Sequence, residues 1–225
     1  QNLKLKKNIK ILIAVDGGAA SGKTTGAKLI SKKYGLNFLS SGLLYRYVAY
    51  KILQSKKHNK NLYLKKIINS INAKKLKNKK LFNQKITQYS AVIAKNKKIR
   101  LMLRKYQKNF AKKNKVCIEG RDIATVICPN ADIKLFFKCN INIRTKRRYG
   151  ELRRQKVKIS LKEINKTLKY RDYLDKTRKI SPLKVAKDSI VIDSSKINKK
   201  QMLEKLSRIV ERKLVVKYGR NFKRN

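Results

Sequence analysis

Residues 16–25 read Asp16-Gly17-Gly18-Ala19-Ala20-Ser21-Gly22-Lys23-Thr24-Thr25, and the eight from Gly17 to Thr24 fit G-x-x-x-x-G-K-[ST]. The flanks give the pattern physical meaning. Ile9 to Val15 is an apolar run of strand length, rich in β-branched residues. After the loop, Ala27, Ile30 and Tyr34 recur at helical spacing, and Gly35 can end the helix. A strand feeding a glycine loop that opens a helix aims backbone N–H groups and a helix N-terminus at one point, which suits an anion. Gly17, Gly18, Ala19, Ala20, Ser21 and Gly22 would cradle the phosphates together with Lys23, Thr24 and Thr25. Lys23 would reach the β- and γ-phosphates of a nucleoside triphosphate, and Thr24 or Thr25 a Mg2+ ion. An ordinary strand-to-helix turn would not need both Gly22 and Lys23.

The unit then repeats. Leu36–Leu39 reads as a second strand, and Ser40-Ser41-Gly42 turns the chain into a helix from about Leu43 to Gln54. Residues 55–85 are Lys/Asn-rich with short apolar patches and read as an insertion; His58 sits there in a solvated Lys-His-Asn context. A helical period returns from Ile86 to Phe110, with Arg100 between the core-facing positions. Strands follow at 116–118, 133–137 and 189–192, with helices near 141–156, 161–176 and 199–218. The last would bury Met202, Leu206, Ile209 and Val210. Strands alternating with helices imply an α/β fold with a five-stranded parallel sheet covered on both faces. Ligands of such sheets bind beyond the carboxyl ends of the strands. Gly17, Ser41, Arg121 and Asp193 stand at such ends.

Composition sets the remaining bounds. The chain has 225 residues, enough for one domain with appendages. Its formal charge is +50, from 62 Lys+Arg against 12 Asp+Glu. A field of that size attracts nucleic acid or any polyanion, and so permits an RNA-binding reading. The lysines are spread through every segment, however, as compositional drift would spread them, so nucleic-acid binding is expected only through non-specific charge. Arginine is the minority cation and the one suited to bidentate chemistry. Cys117, Cys128 and Cys139 lack metal-ligand spacing and read as reduced thiols. No apolar run approaches the ~20 residues that span a bilayer, and the short run at 11–15 passes straight into the loop, unlike a signal peptide. These features lead to the expectation of a soluble cytoplasmic protein.

Arg171-Asp172-Tyr173-Leu174-Asp175-Lys176-Thr177-Arg178 is the other informative stretch. Arg171, Asp175 and Arg178 fall within roughly 60° of one helix face. A carboxylate between two guanidiniums can bind ribose hydroxyls and phosphate together; it can equally form a solvated ion-pair ladder.

Taken in order, Asp16–Thr25, Ser41-Gly42-x-x-Tyr45-Arg46, Glu119-Gly120-Arg121-Asp122-Ile123-x-Thr125-Val126 and Arg171-Asp172-x-x-Asp175-x-x-Arg178-x-x-Ser181-Pro182-Leu183 closely resemble the bacterial cytidylate kinases, a family of P-loop nucleoside-monophosphate kinases. The resemblance runs from about Ile11 to the last helix and implies transfer of the γ-phosphoryl of ATP to CMP or dCMP, with Mg2+. By it, residues 17–25 would hold ATP, and Arg46 with Arg121 the acceptor phosphate. Ser41, Arg100, Asp122 and Arg178 would read cytosine, whose amino group suits the Asp122 carboxylate, while Arg171 and Asp175 would hold the pentose. Lys23, Arg121 and Arg178 would stabilise the charge in transfer. The resemblance also implies a monomer with a core at 9–54, 86–143 and 179–218, a monophosphate-binding insertion at about 55–85 and a lid at about 144–160. Within the same class, a UMP/CMP kinase or another small-molecule P-loop kinase is the nearest competing reading. Departures from the family pattern are Gly18-Ala19-Ala20 for Pro-Ser-Gly, Thr24 for Gly, Ser40 for Asp, Phe82 for Arg and Ala91 for a base-contacting Ser. The 55–85 segment is also shorter than in bacterial members, and together these bear on base selectivity.

Overall fold

A computed structural model describes residues 5–55, 61–219 and 222; His58 lies outside the described residues. The backbone divides into two compact units, Gln1–Leu39 with Lys113–Asn225, and Ser40–Lys112.

The first unit carries a five-stranded parallel sheet of order β2-β3-β1-β4-β5. Its strands are β1 (Ile11–Gly17), β2 (Asn37–Ser40), β3 (Lys115–Gly120), β4 (Ile133–Lys138) and β5 (Ile190–Asp193). The central strand β1 pairs with β3 from Ile11↔Lys115 to Asp16↔Gly120, and with β4 from Ile13↔Ile133 to Gly17↔Phe137. A strand covered on both faces should be continuously apolar, and Ile13, Ala14 and Val15 are fully buried. The strand begins and ends two residues later than the apolar run suggests, because Asp16 and Gly17 extend the ladder.

Helix α1 (Lys23–Tyr34) ends at Gly35, which adopts a left-handed φ of 64°. It buries Ala27, Ile30 and Tyr34 against α9 (Lys199–Tyr218), where Met202, Leu206, Val210 and Leu214 face the same core. The buried Tyr34 hydroxyl donates to Glu211 at 2.7 Å. Helices α7 (Ile141–Arg154) and α8 (Leu161–Thr177) pack together around Leu152, Ile164 and Leu168, and α8 opens with a Ser160–Glu163 capping box. All three cysteines are free; burial pushes the Cys117 thiol up to about 12.

The second unit contains α2 (Ser41–Gln54), α3 (Asn61–Asn69), the short α4 (Ala73–Leu76), a 3-10 turn (Lys79–Phe82), α5 (Gln84–Ile93) and α6 (Lys97–Ala111). Residues 40–54 and 86–112, read from sequence as core, thus fall in this unit with the 61–85 segment. The helical period at 86–110 is two helices. Asn96 restarts the second by accepting from Ile99 N–H at 3.1 Å. Arg100, expected between core positions, is itself buried at 4% exposure.

Candidate active site

In the first unit the site starts at the end of β1. Gly22 caps α1 at φ 84°, a backbone state that favours glycine. Lys23 follows as the first helical residue. It is buried, and its ammonium donates to the Gly18 carbonyl at 3.2 Å and lies 3.8 Å from Glu119. Its pKa is lowered to about 7, first by burial and then by the charge of Arg121, with Glu119 acting to raise it. A phosphate in the loop would restore the charge. Thr24 and Thr25 occupy the first turn and are partly exposed.

Asp16, just before the loop, is 1% exposed and accepts from the N–H groups of Ile123 at 2.9 Å and Ala124 at 2.7 Å. Burial raises its pKa to about 7 against these two hydrogen bonds. Those bonds open a π-helical turn at Ile123–Ile127, closed by Cys128 N–H donating to the Ile123 carbonyl at 2.7 Å. Such wide turns recur at functional sites. This one follows Arg121 and Asp122, and no sequence periodicity announced it.

The stretches 119–122 and 171–178, far apart in sequence, meet here. Arg121 Nε donates to Asp175 Oδ2 at 2.6 Å. Arg178 stands 3.5 Å from Asp175 and 3.6 Å from Asp122, and its Nε donates to the Ser181 carbonyl at 2.7 Å. Burial works against the charge of Asp175, but Arg121, Arg171 and Arg178 together hold its carboxyl below the usual range. Desolvation also works against the charge of the partly buried Arg121, but the charge of Asp175 and the hydrogen bond to it hold its pKa above the ordinary value. Asp175 is 8% exposed, so of the two sequence readings the solvated ladder does not describe it; Arg178, expected on the same helix face, caps the end of α8 with extended backbone instead. Arg121, Asp122, Arg171, Asp175 and Arg178 form one electrostatic cluster, with Lys23 coupled to it through Arg121, Arg171 and Asp175.

Within the stretch that the resemblance assigns to a lid, Arg144 donates to the loop's Ala19 carbonyl at 3.1 Å and pairs with Asp172 at 2.6 Å. Arg147 donates to both the hydroxyl and the carbonyl of Ser194, at 3.0 and 2.7 Å, and Ser194 donates to the Ser21 carbonyl at 2.8 Å. Sequence reasoning gave no role of their own to Glu119, Asp172 or Ser194.

In the second unit, Ser41 begins α2, is buried, and accepts from Gln107 Nε2 at 2.7 Å. The Arg46 guanidinium lies 5.5 Å from the centre of the Phe82 ring. That of Arg100 lies 5.7 Å from the Tyr45 ring and donates to the Ala94 carbonyl at 3.1 Å. Both arginines are therefore held by aromatic faces, the geometry of cation–π attraction.

A parallel sheet with a glycine loop and buried lysine at the end of its central strand defines a P-loop nucleotide-binding protein of the α/β class. Residues 13–212 match the cytidylate kinase family, and the chain belongs to it. A cytidylate kinase of Clostridium tetani is 33% identical, over 94% of this chain and 99% of its own. One of Clostridium botulinum is 35% identical, over 91% and 99%. Among solved structures, an uncharacterized protein from Eubacterium ventriosum superposes with a TM-score of 0.53 at 16% identity, covering 90% of this chain and 99% of that one; it shows the fold alone.

Proposed function

We propose that the protein transfers the γ-phosphoryl group of ATP to CMP and dCMP. Membership of the cytidylate kinase family supports the reaction. The observation that carries the assignment of residues is the cluster in which Arg121, Asp175, Arg178 and Asp122 contact one another in sequence beside a buried Lys23. An oxygen of the acceptor phosphate attacks the γ-phosphorus in line, the bond to the β–γ bridging oxygen breaks, and ADP leaves. Such transfer needs positioning and charge stabilisation rather than covalent chemistry. Residues 17–25 hold the donor phosphates, and Lys23 reaches the β- and γ-groups. Arg121 and Arg46 take the acceptor phosphate, and Arg121 and Arg178 stabilise the equatorial oxygens in transfer. Asp122 accepts from the amino group of cytosine, read also by Ser41, Arg100 and Arg178. Arg171 and Asp175 hold the pentose. In the absence of nucleotide, Asp175 and Arg121 serve as each other's counter-ion.

Mg2+ retains several waters and needs only one or two protein oxygens. The partly exposed hydroxyls of Thr24 and Thr25 fit that demand, and among the described residues no trio of His, Cys, Asp or Glu offers a cage of side chains. When bound, Mg2+ would neutralise charge between the β- and γ-phosphates; either threonine could anchor it. Among the described residues no helix is long and apolar enough to cross a membrane. The three free thiols suit a reducing compartment, and we place the enzyme in the cytoplasm, acting as a monomer.

The test is turnover with ATP, Mg2+ and each of CMP, dCMP, UMP and AMP. CMP and dCMP should exceed UMP and AMP by at least about tenfold, the scale of one charge-assisted hydrogen bond. No ADP release with any of the four would overturn the assignment, and equal rates with UMP would make it a UMP/CMP kinase.

A further inference from the structure

The backbone of Ala19, at the crest of the phosphate loop, is taken on both sides by side chains from two other helices. Its carbonyl accepts from Arg144 Nη1 of α7 at 3.1 Å. Its N–H points at Asp172 Oδ1 of α8 at 3.4 Å, a long contact. The two side chains close on each other at 2.6 Å. Both are mostly shielded, their side chains being 11% and 18% exposed, so water and salt screen the pair less than a surface one. Gly18 makes room for them, since a Cβ there would stand 3.1 Å from both Arg144 Nη1 and Asp172 Oδ1. The far side of the loop is tied independently, at Ser21, through Ser194 and Arg147. Between these ties the chain passes through Ala20 at φ 56°, the left-handed region that costs a side-chain-bearing residue. The loop conformation therefore depends on what is fastened on either side of Ala20.

We propose that Asp172 is a positioning residue of the phosphate loop: its carboxylate holds the Arg144 guanidinium on the Ala19 carbonyl and so fixes the loop at Gly18–Ala20 before the triphosphate arrives. Asp172 acts chiefly through Arg144, its own contact with the Ala19 N–H being long. It needs no contact with nucleotide. A preset loop binds its anion without the ordering cost that a loose one incurs. The consequence for catalysis rests on reading this loop as the ATP site, whereas the consequence for the loop itself does not.

Two measurements separate these levels. Amide hydrogen exchange on the nucleotide-free protein should show residues 18–20 exchanging about tenfold faster in Asp172→Asn than in the wild type, with α1 and the sheet unchanged, since one charge-assisted contact is lost. Direct titration with ATP in the absence of acceptor should show Kd rising about tenfold, and in turnover KM for ATP should rise with it while kcat and KM for CMP stay within about twofold. Gly18→Ala, which pushes a methyl against the same pair, should loosen the same three amides. Combined with Asp172→Asn it should add nothing further. Unchanged exchange at 18–20 in Asp172→Asn would overturn the proposal whether or not the protein phosphorylates CMP. A uniform loss across ATP, CMP and thermal stability would reduce Asp172 to a structural residue, and tighter ATP binding would make it a competing anion. Either result also overturns the proposal.

Discussion

Arg121 at the end of β3 and Asp175 near the end of α8 are joined by a 2.6 Å ion pair, 54 residues apart in the chain. Asp175 is buried, Arg121 is partly so, and Asp175 faces three arginines. Removing the carboxylate leaves those charges uncompensated, a loss of about 3 kcal/mol for a buried pair. Asp175→Asn should therefore unfold at lower denaturant at pH 7. Because the folded pKa of Asp175 is depressed, its contribution is present above the ordinary aspartate range near 3.9 and is lost as pH falls through the lower folded value. The gap between Asp175→Asn and wild type should accordingly close on acidification below about pH 4. Equilibrium unfolding across that window checks it, and a gap that persists at the lowest pH would contradict the pair's role.

Lys23 presents a conflict between stability and function. Its buried ammonium has a pKa near 7, so between pH 7 and the ordinary lysine value the unfolded chain binds more protons and stability rises with pH through this group. Lys23→Met should raise stability at pH 7 by about 1–2 kcal/mol, a few degrees in Tm for a chain of this size. If Lys23 reaches the β- and γ-phosphates as proposed, the same change should lower turnover on the order of 10²–10³-fold by removing that donor. In the wild type, ATP binding at pH 8 should take up close to one proton, as the triphosphate restores the lysine's charge. Titration calorimetry in buffers of different ionisation enthalpy reads that uptake directly.

Ala20 sits at φ 56° between Ala19 and Ser21. Relief of left-handed strain is worth about 1–2 kcal/mol, and the added freedom of glycine in the unfolded chain returns about 0.4–1 of it. Ala20→Gly should therefore stabilise the protein by about 0.5–1 kcal/mol, read as a Tm rise of a few degrees. No change, or a fall, would mean the loop relaxes out of this conformation.

How much of this was readable beforehand depends on how local the cause is. The glycine loop, α1 and α9 are set by spacing within one element, and Ala27, Ile30, Tyr34, Met202, Leu206 and Val210 are buried as their period suggests, whereas Ile209, expected with them, is only partly buried at the edge of the same core. The amphipathic α3 was hidden among lysines, although Leu64, Ile67 and Ile68 carry helical spacing and are buried. The break between α5 and α6 had a signal in Asn96, masked by apolar residues that continue the same period beyond it. The π-turn at 123–127 had none, since its donors are claimed by Asp16 more than a hundred residues earlier. The contacts of Arg144 were not legible because its partners, Asp172 and Ala19, lie on separate elements. The cluster of 121–122 with 171–178 was legible only as two motifs; their contact is a product of the fold.

Phe82 stands where the family tends to have an arginine, and in this chain it offers its ring to Arg46 at 5.5 Å. The ring is 41% exposed, so burial alone gives little reason for a phenylalanine there. An exposed cation–π contact is worth about 0.5–1 kcal/mol. If the ring holds Arg46 for the acceptor phosphate, Phe82→Leu keeps an apolar side chain, removes the π-face, and should raise KM for CMP about two- to fivefold with KM for ATP unchanged. Phe82→Tyr retains the face and should behave as wild type. Steady-state kinetics with each substrate varied in turn distinguishes this from a loss of folded protein, which would lower kcat and leave both KM values alone.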